Sequence, residues 1–274
     1  MNTDAAARLA LATEGLQYDL ARPDPLTGLT PADIETLTVL APDAGTLKRW
    51  FKRRLAREPI AYIARSFEYG GHRFAIDKRA YITDPESIHL VEAVARRARE
   101  LAVTLGRPPL VVEVGVGCAT LSLSVKHRAP ESTLVGLDLD PDGLAVAAEN
   151  VRLHGLPVRL IESDLFERWP ADLPAPDLIF GDPPWGDETT LYADDRPADH
   201  YSAMPAASAF PIGGLTGVHR QILRAVAQRG WGCEVWLNGG CLPLPEVHAL
   251  GQLAARYEFS QPVPGVSLLC CHAV

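Results

Sequence analysis

From Leu110 onward the chain alternates short, almost wholly apolar runs with segments of helical periodicity, and few folds accept that order. The runs are LVVEVG, STLVGLD, PVRLIE, DLIFGD and GCEVWLN, with helices expected after each of the first two and over 216–229 and 244–256. Strands without polar alternation are covered on both faces, which means a parallel sheet between two layers of helix. Two closing runs, YEFS and VSLLCC, are joined through QPVPG, too short for a crossover helix, so that pair is antiparallel. The expected core is an α/β, Rossmann-like sheet of seven strands, six parallel and one antiparallel. Ligand space in such a sheet lies outside the carboxyl ends of the strands.

The first hundred residues read differently. Thr30-Pro31-Ala32-Asp33 offers a cap, a proline where no amide hydrogen is needed and an early acid, so a helix starts there. Asp43 caps a second helix, AGTLKRWFKRRLAREP, which Pro59 is expected to close. Its basic run, Lys48, Arg49, Lys52, Arg53 and Arg54, fits either a solvated face or a contact with an acidic partner. SFEYGGHRFAID carries two short aromatic strands around Gly70-Gly71, a hairpin signal. Asp84-Pro85-Glu86 repeats the cap-plus-proline start for a helix running to Gly106. The expected division is a helical N-terminal domain over 1–65 that meets substrate or partner, a hairpin linker over 66–84 and a cofactor-binding domain over 85–274.

With 26 basic and 34 acidic side chains, the 274 residues carry a formal charge of −8. That balance argues against a broad nucleic-acid footprint, which needs a positive face. No apolar run is long enough to span a membrane, and the first residues carry acids rather than a basic leader, so a cytoplasmic protein is expected, monomeric or homodimeric. Five cysteines (118, 233, 241, 270 and 271) show no paired spacing and read as buried free thiols, with no metal site expected.

VVEVGVGCATLSL places Glu113, Gly115 and Gly117 where the first sheet strand turns into a helix, and glycines there let a ligand approach the backbone. Thr120 stands where a dinucleotide fingerprint would have its third glycine. Asp138 ends the next strand, where a carboxylate accepts bonds from a ribose diol, a role that fits NAD and S-adenosylmethionine equally. Asp164 follows the third strand, within reach of an adenine edge; each acid alone also fits a cap or turn. The sharpest chemical signal is Asp182-Pro183-Pro184-Trp185, after the strand DLIFGD. Two prolines stiffen the backbone and donate nothing, leaving carbonyls and the Asp182 carboxylate as a cluster of acceptors. A planar NH₂ suits such a cluster, which can steer the nitrogen lone pair toward the methyl of a sulfonium cofactor, with Trp185 as a flat wall for the guest or a cation-π face.

With these motifs the chain resembles the HemK/PrmC family of class I methyltransferases, which modify a glutamine amide in peptide release factors. The likeness runs from about Leu47 to Gln228 and rests on REPIAYIARSFEYGGHRFAID, DPESIHLVEAV, EVGVGCATLSL, LDLDPDGLAVAAENVRLHG, ESDLF and AFPIGGLTGVHRQIL. It implies S-adenosylmethionine as cofactor and S-adenosylhomocysteine as product. Glu113, Gly115, Gly117, Asp138, Leu139, Asp164 and Leu165 are then cofactor residues, and Asp182, Pro183, Pro184 and Trp185 the catalytic tetrad. The family's tetrad is Asn-Pro-Pro-Tyr, and its Pro-Glu-Thr-Glu run reads Pro85-Glu86-Ser87-Ile88 here.

These departures bear on substrate. An amide donates and accepts, whereas an ionised carboxylate only accepts, so recognition of a carboxamide should weaken and an amine or guanidinium gain. GDETTLYADDRPADHY adds Asp187, Glu188, Asp194, Asp195 and Asp199, an acidic mouth suited to a cationic guest or a solvated loop. Asp182 with Asp187 or Glu188 would be the base for such a guest, and Tyr192, His200 and Tyr201 are placed near the same pocket. The expected activity is N-methylation of a small guanidino, amine or amide compound. Methylation of a release-factor glutamine, of a nucleobase amino group, or a non-catalytic nucleotide-binding role are the alternatives.

Overall fold

The computed structural model describes residues 3–14, 30–185, 203–210 and 213–272. Four helices come first: α1 (Thr3–Thr13), α2 (Pro31–Leu40), α3 (Ala44–Leu55) and α4 (Ile60–Ala64). Thr30 and Asp33 form a reciprocal capping box on α2, and Asp43 accepts from the Thr46 amide at 2.8 Å to start α3. Leu37, Leu47, Phe51 and Ile63 pack these helices together. Part of the basic run of α3 is turned inward: Arg53 pairs with Glu58 at 2.7 Å and Arg54 with Asp33 at 3.4 Å. Pro59 does not close α3, which ends at Leu55; it stands as the N-cap of α4, where its fixed φ of −56° opens a helical turn.

The hairpin forms as expected, with β1 (Ser66–Tyr69) and β2 (His72–Ala75) joined through Gly70 and Gly71, both at positive φ. Asp84 makes no side-chain cap, contrary to the sequence reading. Pro85–Ser87 is a 3-10 turn leading into α5 (Ile88–Leu105), which ends at Gly106 in the left-handed region.

The main sheet contains β3 (Leu110–Val114), β4 (Thr133–Asp138), β5 (Val158–Glu162), β6 (Leu178–Gly181), β7 (Glu234–Asn238), β8 (Arg256–Ser260) and β9 (Leu268–His272). Their order is β5-β4-β3-β6-β7-β9-β8, and β9 alone runs against its neighbours, so the expected fold class is the observed one. α6 (Thr120–Arg128) and α7 (Pro141–His154) follow β3 and β4, α8 (Gly217–Gln228) precedes β7, and α9 (Leu244–Gly251) follows it. One face packs Val111, Leu134 and Phe180 under Leu90, Val94 and Leu123. The other packs Val112, Ile179 and Leu237 under Ile222, Leu223 and Val226. Each such side chain contributes about 1.5–3 kcal/mol on burial.

Two further expectations need correction. β5 is an edge strand with Arg159 and Glu162 exposed, so it is not covered on both faces, and Cys241 is exposed, unlike the other four cysteines. Among the described residues no helix is long and apolar enough to cross a membrane.

Candidate active site

The strand order turns back on itself at β3, whose neighbours are β4 and β6, and the carboxyl ends of these strands open a cleft of about 450 Å³. All eleven residues expected to form the site line it: Glu113, Gly115, Gly117, Asp138, Leu139, Asp164, Leu165 and the tetrad Asp182 to Trp185. Gly115 and Gly117 sit at φ of 74° and 52°, a region costly to any side chain, so the turn after β3 requires glycine there. Asn150 on α7 ties that turn to the hairpin. Its amide donates to the carbonyl oxygens of Cys118 and Ala75, both at 2.9 Å, and its Oδ1 accepts from the Ala75 amide at 2.7 Å.

Asp138 is held by two backbone donors, Gly117 N at 2.7 Å on Oδ2 and Asp140 N at 3.0 Å on Oδ1. Burial raises its pKa and those amides hold it down, with burial the stronger. Beside it Leu139 is 66% exposed, an apolar surface at the rim of a polar cleft. The Ser163 amide donates to the Asp138 carbonyl at 2.8 Å, which brings exposed Asp164 and half-buried Leu165 to the same rim. Glu113 lies deeper, at 1% exposure, accepting from the Ser122 amide at 2.8 Å and from the Ser122 hydroxyl. Burial pushes its pKa up to about 8 against those two donors.

Asp182 follows β6 and is gripped at both oxygens. Ser87 Oγ donates to Oδ2, and Asn238 Nδ2 donates to Oδ1 at 2.9 Å. Burial raises its pKa while these two bonds lower it. Asn238 is itself fixed: its Oδ1 accepts from the Gly240 amide at 3.0 Å, and buried His219 on α8 donates from Nε2 to its carbonyl at 2.8 Å. Ser87 and Asn238 were not among the residues expected to form the site. A signal for Asn238 was present, since it is a polar residue at the carboxyl end of a buried strand, the same position that marked Asp138 and Asp182.

Trp185 lines the cleft and its ring lies over Gly240, where an added Cβ would sit 2.0 Å from Cε2. Gly240→Ala therefore displaces the indole, and at a φ of 49° it also strains the backbone. The expected loss is about 2 kcal/mol in urea unfolding. An unchanged midpoint would show that the ring does not depend on that glycine.

Charge decides which cofactor the cleft fits. Asp84, Glu113, Asp138, Asp140, Asp164 and Asp182 line it, and no basic side chain does among the described residues. A dinucleotide would bring its diphosphate against the five aspartates, whereas a sulfonium cation is attracted by them. Asp138 retains lone pairs beyond those taken by its two amides, enough to accept ribose hydroxyls. Asp138→Ala is expected to weaken binding of S-adenosylhomocysteine about 30-fold, roughly 2 kcal/mol, by calorimetry. Unaltered affinity would remove the ribose role.

Asp187, Glu188, Tyr192, Asp194, Asp195, Asp199, His200 and Tyr201 lie outside the described residues. His72, His127 and His154 gather beside the hairpin, but the rings of His72 and His127 are stacked at 7°, so their in-plane lone pairs do not converge on one point.

The family model of the methyltransferase small domain matches residues 94–194. A release factor glutamine methyltransferase of Deinococcus radiodurans is 33% identical over 149 residues, 53% of this chain and 50% of its own length. The chain spans about half the length of the release factor glutamine methyltransferases it matches first. The 4-amino-L-phenylalanine/4-methylamino-L-phenylalanine methyltransferase of Streptomyces pristinaespiralis is 23% identical over 267 residues, covering 95% of this chain and 89% of its own. Among solved structures, the T. thermophilus 16S rRNA N2 G1207 methyltransferase in complex with AdoMet and guanosine has a TM-score of 0.53 at 18% identity, over 76% of this chain and 50% of that one. The catalytic domain of hMettl16 in complex with an RNA hairpin has a TM-score of 0.56 at 11% identity, over 98% and 91%. The chain is thus similar over about half its length to release factor glutamine methyltransferases, carries a match to the methyltransferase small domain, and has the class I methyltransferase fold.

Proposed function

We propose that this chain is an S-adenosylmethionine-dependent N-methyltransferase acting on an amine-type nitrogen of a small molecule and releasing S-adenosylhomocysteine. The observation that carries the reading is Asp182, a carboxylate tethered at both oxygens in a cleft lined by acids. S-adenosylmethionine supplies a methyl group made electrophilic by its sulfonium. The chain's own residues do the rest. Glu113, Gly115, Gly117, Asp138, Leu139, Asp164 and Leu165 hold the cofactor, and Asp182 accepts a hydrogen from the substrate nitrogen. The Pro183-Pro184 backbone keeps the acceptors rigid, and Trp185 walls the guest, so that positioning and exclusion of water provide the acceleration. A protonated substrate gives its proton to Asp182, whose burial-raised pKa suits it to act as base.

The relative from Streptomyces pristinaespiralis, matched along nearly the whole chain, supports a small amine over a protein amide. In this reading residues 1–65 form the substrate-side domain, 66–84 the linker and 85–274 the catalytic domain. The test is incubation of the purified chain with methyl-labelled S-adenosylmethionine and, in separate reactions, a release factor, small guanidines, alkylamines and 4-amino-L-phenylalanine. Label is expected in one of the small amines or guanidines. Label only in the release-factor glutamine would overturn the proposal.

A further inference from the structure

We infer that Asn238, with Ser87, fixes position 182 as a pure hydrogen-bond acceptor and so selects an amine over a carboxamide as methyl acceptor; this deepens the small-amine reading and rests on it. Asn238 lies outside the cleft: it is 5% exposed and is not among the residues lining it. Its Oδ1 takes the Gly240 amide at 3.0 Å, so its Nδ2 is obliged to face Asp182, which it meets at 2.9 Å. Ser87 spends its hydroxyl hydrogen on the other oxygen of Asp182. The carboxylate is thus matched one donor to each oxygen, and its remaining lone pairs can only accept. A carboxamide guest would bring its carbonyl oxygen, a further acceptor, into that environment, whereas an amine brings hydrogens alone.

The pair is formally reversible. In the double variant Asp182→Asn, Asn238→Asp, the new carboxylate at 238 accepts from the Gly240 amide and from the new amide at 182. The oxygen of that amide accepts from Ser87. Every contact is kept, one has its donor and acceptor exchanged, and the second N–H of the amide at 182 is left to donate into the cleft. Asn238→Asp alone instead sets two carboxylates at hydrogen-bond distance in a buried site, which disfavours both charges. Among the described residues, Tyr69, Glu113, Ser87 and Asn238 are the groups whose fields or hydrogen bonds reach Asp182, and none of these four is basic.

Four chains test this: wild type, each single variant and the double variant. The probes are 4-amino-L-phenylalanine and the matched carboxamide 4-carbamoyl-L-phenylalanine, with melting temperature and S-adenosylhomocysteine affinity measured in parallel. Asn238→Asp is expected to melt at least about 5 °C below wild type at pH 8, with most of that recovered in the double variant. S-adenosylhomocysteine affinity should stay within about twofold in all four. The amine-over-carboxamide ratio of kcat/KM should fall by about 100-fold in the double variant and by a different factor in Asp182→Asn alone, where Asn238 Nδ2 draws the new amide oxygen to itself and turns its NH₂ toward Ser87; equal ratios in the two would mean that Asn238 has a merely structural role. An uncoupled stability cycle, or a double variant with the wild-type preference, overturns the inference. A wild-type chain that methylates no amine ends the small-amine reading and leaves the stability cycle to be read by itself.

Discussion

Asp182→Ala is expected to lower methyl transfer by about 10³-fold or more, roughly 4 kcal/mol, while S-adenosylhomocysteine binds within about tenfold of its wild-type affinity. The two effects separate because the carboxylate sits at the end of β6, whereas the expected cofactor contacts come from the ends of β3, β4 and β5. Truncation removes the acceptor that orients the nitrogen and also strands two buried donors, Ser87 Oγ and Asn238 Nδ2. Stranding them costs about 1–3 kcal/mol of stability, so the variant must be shown to be folded by unfolding in urea before its rate is read. Asp182→Asn is the control: near in shape, keeping Asn238 Nδ2 on its oxygen and donating to Ser87 Oγ once that hydroxyl turns round, but carrying N–H groups where the carboxylate has only lone pairs. It should fold like wild type and lose most amine turnover. Near-normal turnover in Asp182→Ala would mean that the proline-stiffened acceptors do not hold the reacting nitrogen.

The cleft was legible from sequence because its members follow local rules. Glycines at a strand-to-helix turn, acids at strand ends and two prolines after a buried strand are each visible within a few residues, and the parallel sheet then brings their positions together. All eleven residues line one cleft for that reason. What anchors Asp182 was not legible, because its partners are 95 and 56 residues away and pairing at that range depends on where whole elements dock. Ser87 registered only as a departure from a family motif, and Asn238 only as the last residue of a strand. Local chemistry also misled where one residue type serves two roles. Pro59 can end a helix or begin one, and it begins α4; Asp84 can cap a helix, yet Pro85–Ser87 enters α5 through a 3-10 turn with no side-chain cap. PVRLIE reads as a central strand by composition, but its place at the edge of the sheet leaves Arg159 and Glu162 in solvent, where charged side chains guard an edge.

Glu113 should make the chain less stable as pH rises, opposite to a carboxylate that is ion-paired on folding. Its pKa is pushed up to about 8 from 4.5, first by burial, so the native state keeps a proton that the unfolded chain has released. Below pH 4.5 both states hold the proton and the group is neutral to stability. Between 4.5 and 8 each pH unit favours the unfolded chain by about 1.4 kcal/mol, on the order of 4 kcal/mol from pH 5 to pH 8. Glu113→Gln keeps the size and can still accept from the Ser122 amide and hydroxyl, but it has no proton to lose. Urea midpoints measured at intervals over that range should therefore diverge, with the variant the more stable at pH 8 and the two chains close at pH 5. Nearby Asp138 and Asp182 raise the Glu113 pKa further, so a cation placed among them shifts the balance back toward ionisation. S-adenosylmethionine should accordingly release a proton from wild type near pH 7 and narrow the difference between the two chains, while the uncharged sulfide of S-adenosylhomocysteine does so less. Parallel curves for wild type and Glu113→Gln would show that this carboxyl is ionised throughout and that burial does not govern it.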